Sequence, residues 1–318
     1  MTLTPEGLRR GRKIVAAGNE AEIYEALGLQ YIEPELREGL DEIERAAAHK
    51  IPPLVTATEL LGVLHAHTTA SDGADTLEAM AEASLANGYQ YIGITDHSKT
   101  AHYAGGLTIE EIEQQQAEID HLNAAFGDRF RIFKGIESDI LPDGSLDYPV
   151  DVLRRFDFII GSIHGQFRLD RQAQTERLVR AASNPFITVI GHMTGRQLLR
   201  RPGYDLDIER VLGACAEHDV AVEVNGNPWR LDLDWRWLRR GIELAASSAL
   251  TPMPIRRARS LPRRAGVWRS PGKAACLPTG SSTPSTWTRS RAGYRRARSG
   301  RRPSVSAKPQ QPRRRCGV

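Results

Sequence analysis

Five successive strand-like runs in this chain each finish on a side chain able to bind a metal, and that repetition narrows the possible folds sharply. The runs are VLHAH (63–67), YIGITDH (91–97), FRIFKGIESDI (130–140), FDFIIGSIH (156–164) and FITVIGHM (186–193), and a sixth, VAVEVNG (220–226), follows. Helix-like segments such as DTLEAMAEASLANG, TIEEIEQQQAEIDHLNAAF and DIERVLGACAEHD lie between most of them. Strands alternating with helices imply parallel strands joined by right-handed crossovers. Six such strands with polar residues at their C-terminal ends point to a barrel rather than an open sheet. Neither a glycine-rich phosphate loop nor a Walker motif follows the first strand, which argues against a nucleotide-binding fold.

His65 and His67 end the first strand, and an HxH pair on a strand points both imidazoles to one side. Asp72 follows in TTASDG, His97 ends the second strand, Glu137 the third, His164 the fourth and His192 the fifth. In a parallel barrel these ends share a rim, so seven ligand-type side chains would converge on one cup. Imidazole and carboxylate without thiolate suit zinc, manganese or iron. Any one of these residues alone would be an ordinary polar strand end; chance is a poor account of five in a row. His49, His121 and His218 fall in helical or loop text and are read as ordinary polar residues. His102, Lys99 and Arg196 are the candidates for substrate contact from the same rim, through hydrogen bonds to phosphate. Cys215, Cys276 and Cys316 are odd in number and lack CxxC spacing, so neither a disulfide framework nor a cysteine zinc site is expected. No apolar run approaches the roughly 20 residues of a membrane span, and no apolar signal core follows the N-terminal charges. A cytoplasmic protein with no membrane partner is the expectation.

HAHTTASDG, GITDHS, GIESDI, GSIH and GHMTGR, in this order, resemble the PHP (polymerase and histidinol phosphatase) family over about residues 60–244. The resemblance implies a distorted (β/α)7 barrel with up to three metals, zinc or manganese. It assigns His65, His67 and Glu137 to the first metal, Glu137, His164 and His192 to the second, and Asp72 and His97 to the third. No catalytic side chain beyond the metal cluster is implied. Val63 departs from the family, which usually has Asp there, so one outer hydrogen bond to the site is expected to be missing. The lead GLRRGRKIVAAGNEAEIYEALGLQYIEPELRE resembles the end of the thumb in bacterial family X DNA polymerases. The polymerase branch implies a manganese-dependent 3′–5′ exonuclease or phosphoesterase acting on DNA ends in repair. The alternatives are a histidinol-phosphate-type small-molecule phosphatase and an inactive fragment.

After Leu244 the pattern stops. Residues 245–318 hold sixteen Arg and two Lys with no Asp, Glu or His, leaving 25 basic against 39 acidic residues before them. The expected organisation is a helical lead resembling the thumb end and linker (1–58), a PHP domain (59–244) and a disordered basic tail (245–318). The family pattern calls for a seventh strand ending in an N-P-D-A-H-like motif, whose Asp and His complete the first and third metal sites. Read one nucleotide out of frame with permitted codons, residues 246–256 (ASSALTPMPIR) become E-L-S-I-N-P-D-A-H-S. The Asp arises across Pro252 and Met253, and the His across Pro254 and Ile255. The tail is therefore read as a frameshift product. The barrel is expected to lack its last strand and helices, to keep one of three metal sites intact, and to have impaired activity. In the frame as it stands, Pro252 and Pro254 fall where that strand should run and would remove ladder donors. A basic arm that attracts nucleic acid without sequence preference is the competing account of the tail. Sequencing the gene around the Leu244 codon should reveal a one-base change that opens a continuous shifted frame through Tyr294; a shifted frame interrupted by stops would refute the reading.

Overall fold

The computed structural model describes residues 1–244 and the backbone of residues 248–251. The disordered-tail and frameshift readings, like the expected absence of the final helices, otherwise lie outside the described residues. All described residues belong to one unit. The chain opens with three short strands, β1 (Thr2–Thr4), β2 (Gly7–Arg10) and β3 (Lys13–Ala16), paired antiparallel in that order. The purely helical lead expected from the sequence is thus corrected. The strands are three or four residues long, too short to carry a readable period, and two-residue loops join them. Gly11 takes the positive φ (63°) that such a loop favours at its first position. Helical spacing further on does become helix, in α1 (Glu20–Ala26) and α2 (Glu42–Ala47). Their packing buries Ile32, Leu36 and Ala46.

The α/β part then runs β4 (Gly62–Ala66), α3 (Leu77–Ala86), β5 (Tyr91–Ile94), α4 (Ile109–Phe126), β6 (Arg131–Lys134), β7 (Glu137–Asp139), α5 (Val150–Leu153), β8 (Ile160–Ser162), α6 (Arg171–Ala182), β9 (Val189–Ile190), α7 (Ile208–Glu217), β10 (Ala221–Asn225), α8 (Trp235–Glu243) and β11 (Ser248–Thr251). Side-chain caps mark where helices start. Thr76 accepts from Ala79 N at α3, and Thr108 and Glu111 form a reciprocal capping box at α4. Asp170 and Asp207 cap α6 and α7.

Every strand pairing from β4 onward is parallel. One ladder orders as β4-β5-β6 and the other as β7-β8-β9-β10-β11. They are two halves of one curved surface, because β6 and β7 are consecutive stretches of chain separated by Gly135 and Ile136. Backbone bonds cross the junction: Glu137 N donates to Asp96 O (3.1 Å) and Ser98 N to Glu137 O (3.1 Å), pairing His97 with Glu137. The Phe158 ring fills the space at this jog. A Cβ on Gly93 or on Gly135 would come within 2.5 Å of it, so both positions exclude a side chain. Phe158, Ile160 and Val189 are buried on the inner side with Leu64, Phe133 and Ala221 packed against them, so strands from both ladders meet there. On the outer side, helices cover one cluster around Ile140, Ile159, Leu178 and Val211 and another around Ile92, Ile94, Met80 and Ile119. Burial on both faces is what parallel strands require.

The expected loss of the last strand needs a second correction. Residues Ser248–Thr251 pair parallel to β10, from Val222 opposite Ser248 to Asn225 opposite Thr251. The backbone of this strand also runs close to that of β4, the first of the series. Pro252 and Pro254 follow these four residues in sequence, so no proline falls within Ser248–Thr251 and the ladder loses no donor there. Among the described residues no helix is long and apolar enough to cross a membrane.

Candidate metal centre

The C-terminal ends of the parallel strands open into a cavity of about 670 Å³. Its lining includes His65, His67, Asp72, His97, Glu137, His164 and His192, so all seven expected ligand positions are brought together. Glu137, 1% exposed, sits at the middle. Its Oε1 lies 2.9 Å from His192 Nε2, 3.3 Å from His65 Nε2 and 3.4 Å from His164 Nε2. Its Oε2 lies 3.1 Å from His97 Nδ1 and 3.5 Å from His67 Nε2. Asp72 stands between the other two rings, 3.1 Å from His67 Nδ1 and 3.5 Å from His97 Nε2. Three groups of donor atoms are close enough to share a cation: His65, His67 and Glu137; His67, Asp72 and His97; and His97, Glu137 and His164. Ring by ring, His192 belongs to the centre through Glu137 rather than through one of these groups.

Two carboxylates that sequence reasoning missed, the buried Glu223 and the partly buried Asp139, orient the rings. Glu223, on β10, lies 2.5 Å from His65 Nδ1 and accepts from the backbone N of His192. Asp139, on β7, lies 2.5 Å from His164 Nδ1. With Nδ1 held outward in both rings, Nε2 faces Glu137, which is how carboxylate–histidine pairs set the tautomer of a metal ligand. A third carboxylate, the buried Asp96, shapes the loop that carries Asp72. It accepts from Thr68 N (2.7 Å), Thr68 Oγ1 (2.8 Å), Ser71 Oγ (2.5 Å) and Gln115 Nε2 (2.7 Å). Each carboxylate had a sequence signal: an acidic residue inside the apolar VAVEVNG, one two places after Glu137 on the same face, and one just before His97.

The electrostatics fit a cation. Burial works against a charged Glu137, yet His164, His65 and the hydrogen-bonding rings hold its pKa well below the usual carboxylate range. Burial opposes charge on His65, but Glu223 and Glu137 outweigh it and raise the ring to about 10. His164 is raised to about 9 against the same burial, by Glu137 and Asp139. His192 goes the other way, to about 4, through burial and the nearby Arg230, and its Nδ1 is buried with no hydrogen-bond partner among the described residues. Five imidazoles cannot all donate to a single carboxylate, and protonating all five would set like charges against one another. A divalent cation replaces those protons with one shared positive centre, so metal binding and proton release are coupled. The donor set therefore fits a metal cofactor held by imidazole and carboxylate.

The three expected substrate contacts do not reach the cavity lining. Arg196 is spent on the loop after β10: its Nε donates to Arg230 O (2.8 Å), its Nη2 to Leu231 O, and its Nη1 pairs with Asp234 (2.8 Å). Lys99 lays its Nζ over the Tyr148 ring at 5.6 Å from the centroid. His102 is exposed in a short 3-10 turn, and its neighbour Tyr103 lines the cavity instead. The cations at the lining are Arg201 and Arg230, with Asn225 and Asn227 beside them.

Replacing Glu223 by Gln should weaken metal affinity by about 10- to 100-fold, the range seen when an outer hydrogen-bond partner of a ligand is removed. Replacing Glu137 by Ala should abolish tight binding. Chelator competition on the purified variants checks both, and wild-type affinity in Glu137→Ala would contradict the assignment of the centre.

The sequence pattern of the PHP domain family matches residues 64–227, and that of the DNA polymerase beta thumb matches residues 1–38. The chain is 44% identical over 225 residues to the DNA polymerase/3′-5′ exonuclease PolX of Bacillus subtilis, which covers 71% of this chain and 39% of that protein. It is 31% identical over 176 residues to a probable phosphatase of Caldanaerobacter subterraneus, covering 51% of this chain and 61% of that one. The chain thus spans about two fifths of the first relative and three fifths of the second. Among solved structures, a histidinol phosphate phosphatase from Lactococcus lactis in complex with zinc, L-histidinol and phosphate superimposes with a TM-score of 0.48 at 21% identity, covering 67% of this chain and 90% of that one. With its family pattern matched from the first metal-binding strand to the loop after β10, and a thumb pattern ahead of it, this chain belongs to the PHP domain family.

Proposed function

We propose that this chain is a metal-dependent phosphoesterase of the polymerase-associated PHP branch, acting on the ends of DNA. One observation carries the metal-dependent part: the buried Glu137 carboxylate faced by five imidazoles, two of them turned toward it by Glu223 and Asp139. The choice of DNA rests on the thumb-like first 38 residues and on the 44% identity to a polymerase/exonuclease. Zinc or manganese suits the donor set, and manganese is the metal proposed for DNA cleavage.

His65, His67, Asp72, His97, Glu137, His164 and His192 would hold the cations. Bound divalent cations would supply a water of lowered pKa and offset the charge on the phosphoryl oxygens. The protein's own side chains do the rest. Arg201 and Arg230 at the lining meet a phosphate with charge-assisted hydrogen bonds. Tyr103, exposed at the cavity lining, offers its hydroxyl as a donor to a phosphoryl or leaving oxygen. Asn225 and Asn227 offer neutral donors at the same lining. No side-chain nucleophile is needed.

The proposed organisation keeps residues 1–58 as thumb end and linker, 59–244 as the PHP domain and 245–318 as a basic extension that attracts nucleic acid non-specifically, in the cytoplasm. Because the Asp and His of the last strand are absent from the reading frame, one metal site is proposed to hold tightly and turnover to be impaired. The full chain with manganese should release mononucleotides from the 3′ end of single-stranded DNA, orders of magnitude more slowly than a chain with the shifted frame restored after Leu244. If the restored chain instead hydrolyses histidinol phosphate and leaves DNA ends intact, the small-molecule reading replaces this one.

A further inference from the structure

Two loops meet at the cavity mouth, one after β9 and one after β10, and they are tied together by backbone. Leu198 N donates to Trp229 O (2.7 Å), and Arg196 bonds the carbonyls of Arg230 and Leu231. Each loop puts an arginine on the cavity lining and a chain neighbour of that arginine outside it. Arg201 lines the cavity with its guanidinium 4.1 Å from the Phe167 ring centroid, while Arg200 lies outside, 4.5 Å from the centroid of Trp229. Arg230 lines the cavity, while Trp229 stands outside and is 50% exposed. Asn227 Oδ1 accepts from Trp229 N (2.9 Å), which fixes the backbone that presents the indole. Trp229 belongs to none of the buried clusters, so packing does not account for its position.

We propose that Trp229, with Arg200, is a stacking platform for a nucleobase of single-stranded nucleic acid whose adjoining phosphate enters the cavity beside Arg201 and Arg230. The alternation explains the choice of occupant. A strand presents phosphates and π-faces in turn, and this rim presents cations inside and an exposed aromatic ring outside, on neighbouring residues. Aromatic stacking tolerates any base, because every base has a π-face, and an arginine on the ring adds to it. A small phosphoester held wholly within the cavity would have no use for the outer ring. The inference rests on the DNA-end reading above and names the contact that would hold the strand next to the scissile bond.

The experiment compares binding of the full chain to two single-stranded octamers of equal charge, one of thymidines and one abasic, both with phosphorothioate linkages to block cleavage. Attraction of the arginine-rich residues to the backbone is the same for both, so the ratio of the two dissociation constants isolates base stacking. Wild type should prefer the thymidine octamer by about tenfold. Trp229→Ala should bring the ratio close to one, and Trp229→Phe should keep most of it. Trp229→Leu retains apolar cover for the loop without an aromatic face and should behave as Trp229→Ala, which separates stacking from loop stability. A wild-type ratio near one, or a ratio unchanged in both Trp229→Ala and Trp229→Leu, would overturn the platform. Hydrolysis tested in parallel keeps the two readings apart. DNA cleavage with a ratio that ignores Trp229 removes the platform alone, and Trp229-dependent binding with cleavage confined to small esters removes the DNA-end function alone.

Discussion

An ionised carboxylate buried as deeply as Glu137 costs several kcal/mol unless something opposite in charge meets it. The rest of the site follows from meeting that requirement. Five rings approach the carboxylate from four different strand ends, and each ring needs a reason to present a nitrogen inward. Glu223 and Asp139 supply that reason for two of them by occupying Nδ1. The cost of burying Glu223 is offset by His65 and His192, which hold it down to about 2 against the desolvation that would raise it. Removing one member would leave charge without a partner in a low-dielectric pocket. The arrangement is stable as a set, with a cation at its centre as the natural balancing charge.

The backbone makes this possible by a local break in regularity. Between β6 and β7 the strand shifts its pairing from the β4-β5 ladder to the β8-β9-β10-β11 ladder, and Glu137 is the first residue after the shift. Gly93 and Gly135 leave room for Phe158, whose ring fills the bend from inside. The central ligand is thus placed by a junction of two ladders, with His97 paired directly across from it. Rigid elements on either side keep the rings in place, and the loops that follow β9 and β10 reach the cavity lining. The same division appears in many α/β proteins, whose strand ends carry the chemistry.

Much of this is legible in the residues. Alternating strand and helix text predicts parallel strands, and an HxH pair or a terminal His leaves a clear pattern, so the seven ligand-type residues could be sought on the one rim where they now stand. The supporting carboxylates are harder to see. Glu223 lies in an apolar strand where it looks incidental, and only the fold shows that β10 passes beside both His65 and His192. Arg196 has the right charge for phosphate, but sequence cannot show that the loop after β10 comes back to claim its guanidinium. The first three strands are too short for their period to stand out. Ser248–Thr251 escapes a sequence reading because the prolines that follow it suggest a broken strand, although none lies within the paired residues.

The centre around Glu137 has the donor set of a metal site, and anomalous X-ray scattering at the manganese and zinc edges, from crystals of the full chain grown with each ion, is the decisive test. Anomalous density is expected beside the Glu137 carboxylate and within reach of the surrounding histidine nitrogens. Crystals saturated with either ion that show no anomalous density at Glu137, with the five rings still gathered round the carboxylate, would rule a metal centre out.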